Sequence, residues 1–120
     1  MRFADFVQWD DHAASTAELV YALIKELDDE AQVDRDIANC LYAGLMTDTG
    51  GFRHSNTTKK VFETAAALVE HGAEPAMVSK LIYDTNSLER MRLMGFVLNE
   101  KLNVIPEYRT AYIALRTEDL

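Results

Sequence analysis

The stretch Gly44-Leu45-Met46-Thr47-Asp48-Thr49-Gly50-Gly51-Phe52-Arg53-His54-Ser55 decides how the rest of the chain is read. It continues the run Ile37-Ala38-Asn39-Cys40-Leu41-Tyr42-Ala43, which is apolar on nearly every side. That pattern predicts a buried helix from Ile37 to Met46 that stops at Asp48 and the glycine pair, where the backbone turns freely. A carboxylate at such a place is unfavourable twice. Desolvating it is costly without a partner, and the helix dipole opposes an anion there by roughly 0.3–1 kcal/mol. A bound cation is one compensating partner, so Asp48 is the candidate metal ligand. Arg53 and His54 follow in the same loop. A guanidinium fork matches phosphate oxygens, which makes Arg53, with His54 beside it, the candidate substrate-binding pair. The plainer alternative is a helix-ending turn with a solvated aspartate and two surface side chains.

Outward from this loop the chain reads as mostly helical. Ser15-Thr16-Ala17-Glu18 is a capping box, and Val20, Leu23, Ile24 and Leu27 behind it have the spacing of an amphipathic helix that fades in Asp28-Asp29-Glu30. Asp34 caps the second helix. Thr57 or Thr58 caps a third, with Val61, Phe62, Ala65, Ala66 and Val69 as its expected inner face and Gly72 at its end. Pro75 opens a short fourth helix carrying Val78, Leu81 and Ile82. Asn86 or Ser87 caps a fifth, striped by Met91, Met94, Val97, Leu98 and Leu102 and finished by Pro106. Strand formers occur at the two ends, Phe3 to Trp9 and Tyr108 to Leu115. Neither has a sequence-local partner, so each is expected to pair with material outside the chain or with a second copy, which leaves a homodimer open.

Composition narrows the function classes. A chain of 120 residues, 48% apolar, has room for one modest domain and is not of disordered type. Its net charge of −8 argues against broad binding of duplex DNA, which needs a cationic surface, yet suits a small nucleotide held through a metal. No stretch is long enough to span a bilayer, and Met1 to Asp5 lacks a signal-peptide layout. The single cysteine, Cys40, is expected to be a buried structural thiol, and its solitary presence fits a reducing cytoplasm.

Several other residues invite a chemical reading and are set aside. Asp10-Asp11-His12 imitates a metal-binding signature but reads as a solvated turn. Ser15 and Thr16 read as capping residues. His71 sits in the last turn of a helix, where the dipole favours it, and Met91 and Met94 read as core packing. There is no phosphate-binding glycine loop, zinc spacing or nucleophile elbow.

Taken together, Ala13-Ala14-Ser15-Thr16-Ala17-Glu18-Leu19-Val20, Leu41 to Arg53, Ser55-Asn56-Thr57-Thr58, His71-Gly72-Ala73 and Asn86 to Leu93 resemble the DHH-family phosphoesterases. The resemblance is to the branch acting on short oligoribonucleotides and 3'-phosphoadenosine-5'-phosphate (pAp). It implies an α/β phosphoesterase domain fragment. Residues 1–86 would be the C-terminal half of the DHH domain, 87–105 a linker helix, and 106–120 the start of the DHH-associated domain. It implies a divalent, two-metal site, usually manganese, of which this chain supplies only Asp48, so the chain alone is expected to hydrolyse nothing. The junction at Ser15 and Thr16 would face the same cleft. The implied substrate is short RNA or a nucleotide. The alternatives are the same fold acting on cyclic dinucleotides, pyrophosphate or polyphosphate, or a non-catalytic helical interaction or dimerisation module.

Overall fold

A computed structural model describes residues 4, 5 and 7–119. The chain divides into two compact units, one ending at Ile82 and the other starting at Tyr83. In the first, α1 (Thr16–Glu26), α2 (Arg35–Asp48) and α3 (Lys59–Glu70) are followed by α4 (Pro75–Tyr83), which ends at the boundary. The second holds α5 (Leu88–Phe96), a π-helical turn (Val97–Lys101) and a two-stranded antiparallel hairpin, β1 (Leu102–Ile105) and β2 (Thr110–Ile113). The fold class is thus the expected one, five helices with short strands.

The helix starts are dictated locally. Ser15, Asp34, Thr58 and Ser87 each accept a backbone N–H of the first turn, as small polar caps do. α3 ends at Gly72, whose φ of 98° suits only glycine, and the following Ala73 N–H closes back on the Leu68 carbonyl at 2.9 Å.

α2 lies at the centre of the first unit, packed against both α1 and α3. Tyr21, Ala38, Tyr42, Leu45, Met46, Val61 and Leu68 make up most of the core between them. Burial corrects two expectations of helix facing. α3 buries Val61, Thr64, Ala65 and Leu68, while Phe62, Ala66 and Val69 face outward, one residue's rotation away from the expected stripe. On α2 only one side is buried, and Cys40 lies on the other: it is an exposed free thiol rather than a structural one.

The second unit corrects the reading of the C-terminal region. The helix ends at Phe96, the apolar period running past it is absorbed by the π turn, and Leu102 already belongs to a strand. β2 therefore has a sequence-local partner after all, with Leu102 opposite Ile113 and Ile105 opposite Thr110. Met91 and Met94 are exposed, not core, and none of the described residues of this unit is buried. The N-terminal strand expected at Phe3–Trp9 falls partly outside the described residues. Val7 to Trp9, which are described, form no strand.

The first unit carries a pH signature. Burial pushes Tyr21 and Tyr42 above the ordinary tyrosine value of 10.0, and the hydrogen bond from Lys60 to Glu18 holds the ammonium above the ordinary lysine value of 10.5. All three hold their protons more tightly folded than unfolded. Their contribution is fully present below the unfolded values and is lost as pH rises through the folded ones. Urea-unfolding midpoints followed by far-UV circular dichroism should therefore fall once pH passes about 10. A midpoint that climbs there would contradict the assignment.

Candidate active-site loop

The loop after α2 is held in one shape by backbone bonds. The Gly51 N–H donates to the Met46 carbonyl at 2.8 Å and the Gly50 N–H to Thr47 at 3.1 Å, closing the helix end. Thr49, fully buried, shares its hydroxyl proton between the Leu45 and Met46 carbonyls, at 2.8 and 3.2 Å, and accepts the Phe52 N–H at 3.1 Å. Gly50, Gly51 and Phe52 are all left-handed, with φ of 59°, 70° and 63°. This conformation is uncommon for a phenylalanine. The Phe52 ring is gripped by two others, tilted on Tyr42 and stacked on Phe62, with centroids 5.8 Å away in each case.

Asp48 stands at the entrance to this loop. The premise that it lies buried is corrected: the residue is exposed, so burial does not by itself demand a cation. Its Oδ2 accepts a hydrogen bond from the Ser15 hydroxyl at 2.7 Å. No protein donor to its other oxygen is found among the described residues. Behind the pair, Asn56 Nδ2 donates to the Asp48 carbonyl at 3.2 Å and to the Ala14 carbonyl at 3.4 Å, joining the end of α2 to the start of α1. Glu18, only 2% exposed, accepts from the Ala14 N–H at 3.1 Å and from Lys60 Nζ at 3.2 Å, which fixes the same junction to α3.

Arg53 and His54 are both exposed on the loop. Arg53 Nε donates to the Gly50 carbonyl at 2.8 Å, while its terminal amino groups have no partner among the described residues. The His54 ring covers Gly50, where an added Cβ would run into it. Asp10, Asp11 and His12 form a surface turn in which the His12 N–H donates to Asp10 Oδ1 at 3.0 Å. His71 caps the end of α3 and meets Tyr21 edge-on.

Among the described residues, no three of histidine, cysteine, aspartate and glutamate come together in a metal-holding group. Asp48, with its exposed carboxylate and one oxygen without a donor among the described residues, fits a single hard-oxygen ligand position. The described residues do not by themselves make up a two-metal centre, which takes several such ligands.

The sequence treated Ser15 as a cap and left Asn56 without a role. Both contact Asp48, Ser15 from 33 positions away and Asn56 from eight. Asn56 Oδ1 and Thr57 Oγ1 are also buried without a partner among the described residues. The one signal available was the family resemblance, which placed the junction at Ser15 and Thr16 at the same cleft as Asp48; nothing pointed to Asn56.

No protein-family model matches the chain. It is similar to two proteins named bifunctional oligoribonuclease and PAP phosphatase NrnA. The one from Thermus thermophilus is 37% identical over 99 residues, 82% of this chain and 29% of that protein. The one from Bacillus subtilis is 29% identical over 96 residues, 79% of this chain and 30% of that protein. The crystal structure of an exopolyphosphatase-related protein from Bacteroides fragilis matches with a TM-score of 0.89 at 31% identity, over 99% of this chain and 35% of that one. The helical scaffold is that of a phosphoesterase domain. The chain belongs to the DHH family of phosphoesterases and spans about 30% of the length of the two NrnA proteins.

No helix among the described residues is long and apolar enough to cross a membrane.

Proposed function

We propose that this chain is the part of a metal-dependent phosphoesterase that supplies one carboxylate ligand, Asp48, to a two-metal centre completed by residues outside it. The substrates are short oligoribonucleotides, pAp or both. The observation that carries this reading is the Asp48 carboxylate itself. It is exposed, accepts the Ser15 hydroxyl at 2.7 Å, and ends α2 just before a loop closed by backbone hydrogen bonds. The names of the two NrnA relatives support the substrate class.

The chemistry that divalent ions, manganese by preference, supply when bound is polarisation of the phosphoester and neutralisation of its charge. Arg53, whose terminal amino groups have no acceptor among the described residues, binds a phosphate oxygen. His54 lies beside it on the same loop. By itself the 120-residue chain binds ions too weakly to hydrolyse anything, because one carboxylate does not hold a pair of divalent cations. The protein acts in the cytoplasm.

The test is a substrate panel with Mn2+: pAp, a short oligoribonucleotide, a cyclic dinucleotide, pyrophosphate and polyphosphate. It is run on the protein that carries this segment and on the 120-residue chain alone. The expected result is turnover of pAp or short RNA by the former and none by the latter. The name of the Bacteroides fragilis neighbour is the reason for including polyphosphate. Preference for polyphosphate would replace the substrate assignment. Inertness of the carrying protein towards all five would favour a non-catalytic interaction module.

A further inference from the structure

We infer that Ser15 is the positioning residue of the Asp48 carboxylate: its hydroxyl sets which oxygen Asp48 offers to a metal. The inference rests on the ligand role proposed for Asp48. A serine hydroxyl has one proton and two lone pairs. One lone pair is occupied by the Ala17 N–H, 3.2 Å away, in the helix cap of α1. The proton goes to Asp48 Oδ2 at 2.7 Å, a length typical of a hydroxyl on a carboxylate. Ser15 is 5% exposed, so water has little access to compete for either bond.

The serine is itself held. Its backbone is extended, with φ −154° and ψ 145°. The residue before it is pinned on both sides: the Ala14 N–H donates to Glu18 and the Ala14 carbonyl accepts from Asn56. Glu18 is anchored in turn by Lys60 on α3, and the same Asn56 amide holds the Asp48 carbonyl. The backbone of Asp48 and the donor to its side chain are thus fixed relative to each other by one amide. A carboxylate tied through one oxygen presents the other in a set direction. Outer-shell donors of this kind set ligand geometry, and their loss typically costs about 10–100-fold in metal affinity.

A structural cap and a positioning donor are separable by substitution. Glycine is a helix cap almost as good as serine but has no hydroxyl. Threonine keeps the hydroxyl, and its β-branch suits the extended backbone at this position. Mn2+ dissociation constants are read by electron paramagnetic resonance on the protein carrying this segment. The proteins compared are wild type, Ser15→Gly, Ser15→Thr and Asp48→Asn, with melting curves recorded in chelator. Ser15→Gly is expected to weaken Mn2+ binding by about 10–100-fold with a melting temperature close to wild type, and Ser15→Thr to stay within about threefold. If Asp48→Asn loses Mn2+ while Ser15→Gly binds it as wild type does, the positioning role falls and the ligand role of Asp48 stands. If Asp48→Asn binds Mn2+ as tightly as wild type, the ligand role itself falls and takes this inference with it.

Discussion

Leu45→Ala is expected to lower the unfolding free energy by about 2–5 kcal/mol, the range for deleting a large buried aliphatic side chain. Leu45 is fully buried on α2, the helix against which both α1 and α3 pack. Its neighbours, Tyr42 one turn before and the Thr49 side chain one turn after, are themselves buried, so little can move in to fill the space. The backbone consequence is local to the site. The Leu45 carbonyl accepts both the N–H and the hydroxyl of Thr49, and Thr49 organises the loop through Phe52, Arg53 and His54. For a unit of this size the loss corresponds to a melting temperature lower by roughly 10 °C or more. Leu27→Ala is the matched control: Leu27 is 62% exposed, just past the end of α1, and its truncation should stay within about 0.5 kcal/mol. Guanidinium titrations of the two variants decide the matter. Equal losses would mean that α2 is not the centre of the core.

What could be read in advance follows from the range of the interaction. Caps are contacts between residues two or three positions apart, so Ser15, Asp34 and Ser87 announce their helices in the sequence itself. The stop at Asp48 and Gly50-Gly51 is local for the same reason. The facing of α3 was only half legible: Val61 and Ala65 of the expected face are buried, but the face turns towards Thr64 and Leu68, and a threonine does not announce a buried position as the apolar Phe62, Ala66 and Val69 do. The packing of Phe62 on Phe52, which draws that ring to the loop and away from the core, is a tertiary matter. At the C-terminal hairpin the helical period of Met91, Met94 and Leu98 continues falsely to Leu102. The turn carries its left-handed residue at Arg109 (φ 48°), where no glycine or asparagine gives it away. In the site, the position of Asp48 at the end of α2 was visible, but its exposure and its bond to Ser15 were not. Both depend on how α1 lies against α2.

Asp48→Asn is expected to separate folding from function by moving them in opposite directions. The substitution keeps the size of the side chain and leaves an oxygen to accept the Ser15 hydroxyl, so the bond at 2.7 Å survives in neutral form. The residue is exposed at the C-terminal end of α2, where the dipole disfavours an anion by roughly 0.3–1 kcal/mol. Melting in chelator should therefore be unchanged or slightly higher. The ligand, by contrast, loses its charge, and a hard divalent cation draws much of its binding from charged oxygen. Removing outer-shell donors alone costs about 10–100-fold in metal affinity, so loss of the ligand itself should lower Mn2+-dependent turnover of pAp or short RNA by more than about a hundredfold. The decisive comparison is one preparation of the carrying protein, measured for both melting temperature and turnover at an Mn2+ concentration near the wild-type dissociation constant. Turnover within a few-fold of wild type would remove Asp48 from the metal centre. A lower melting temperature together with lost turnover would instead assign the aspartate a structural role, with the Ser15 bond needing its full charge.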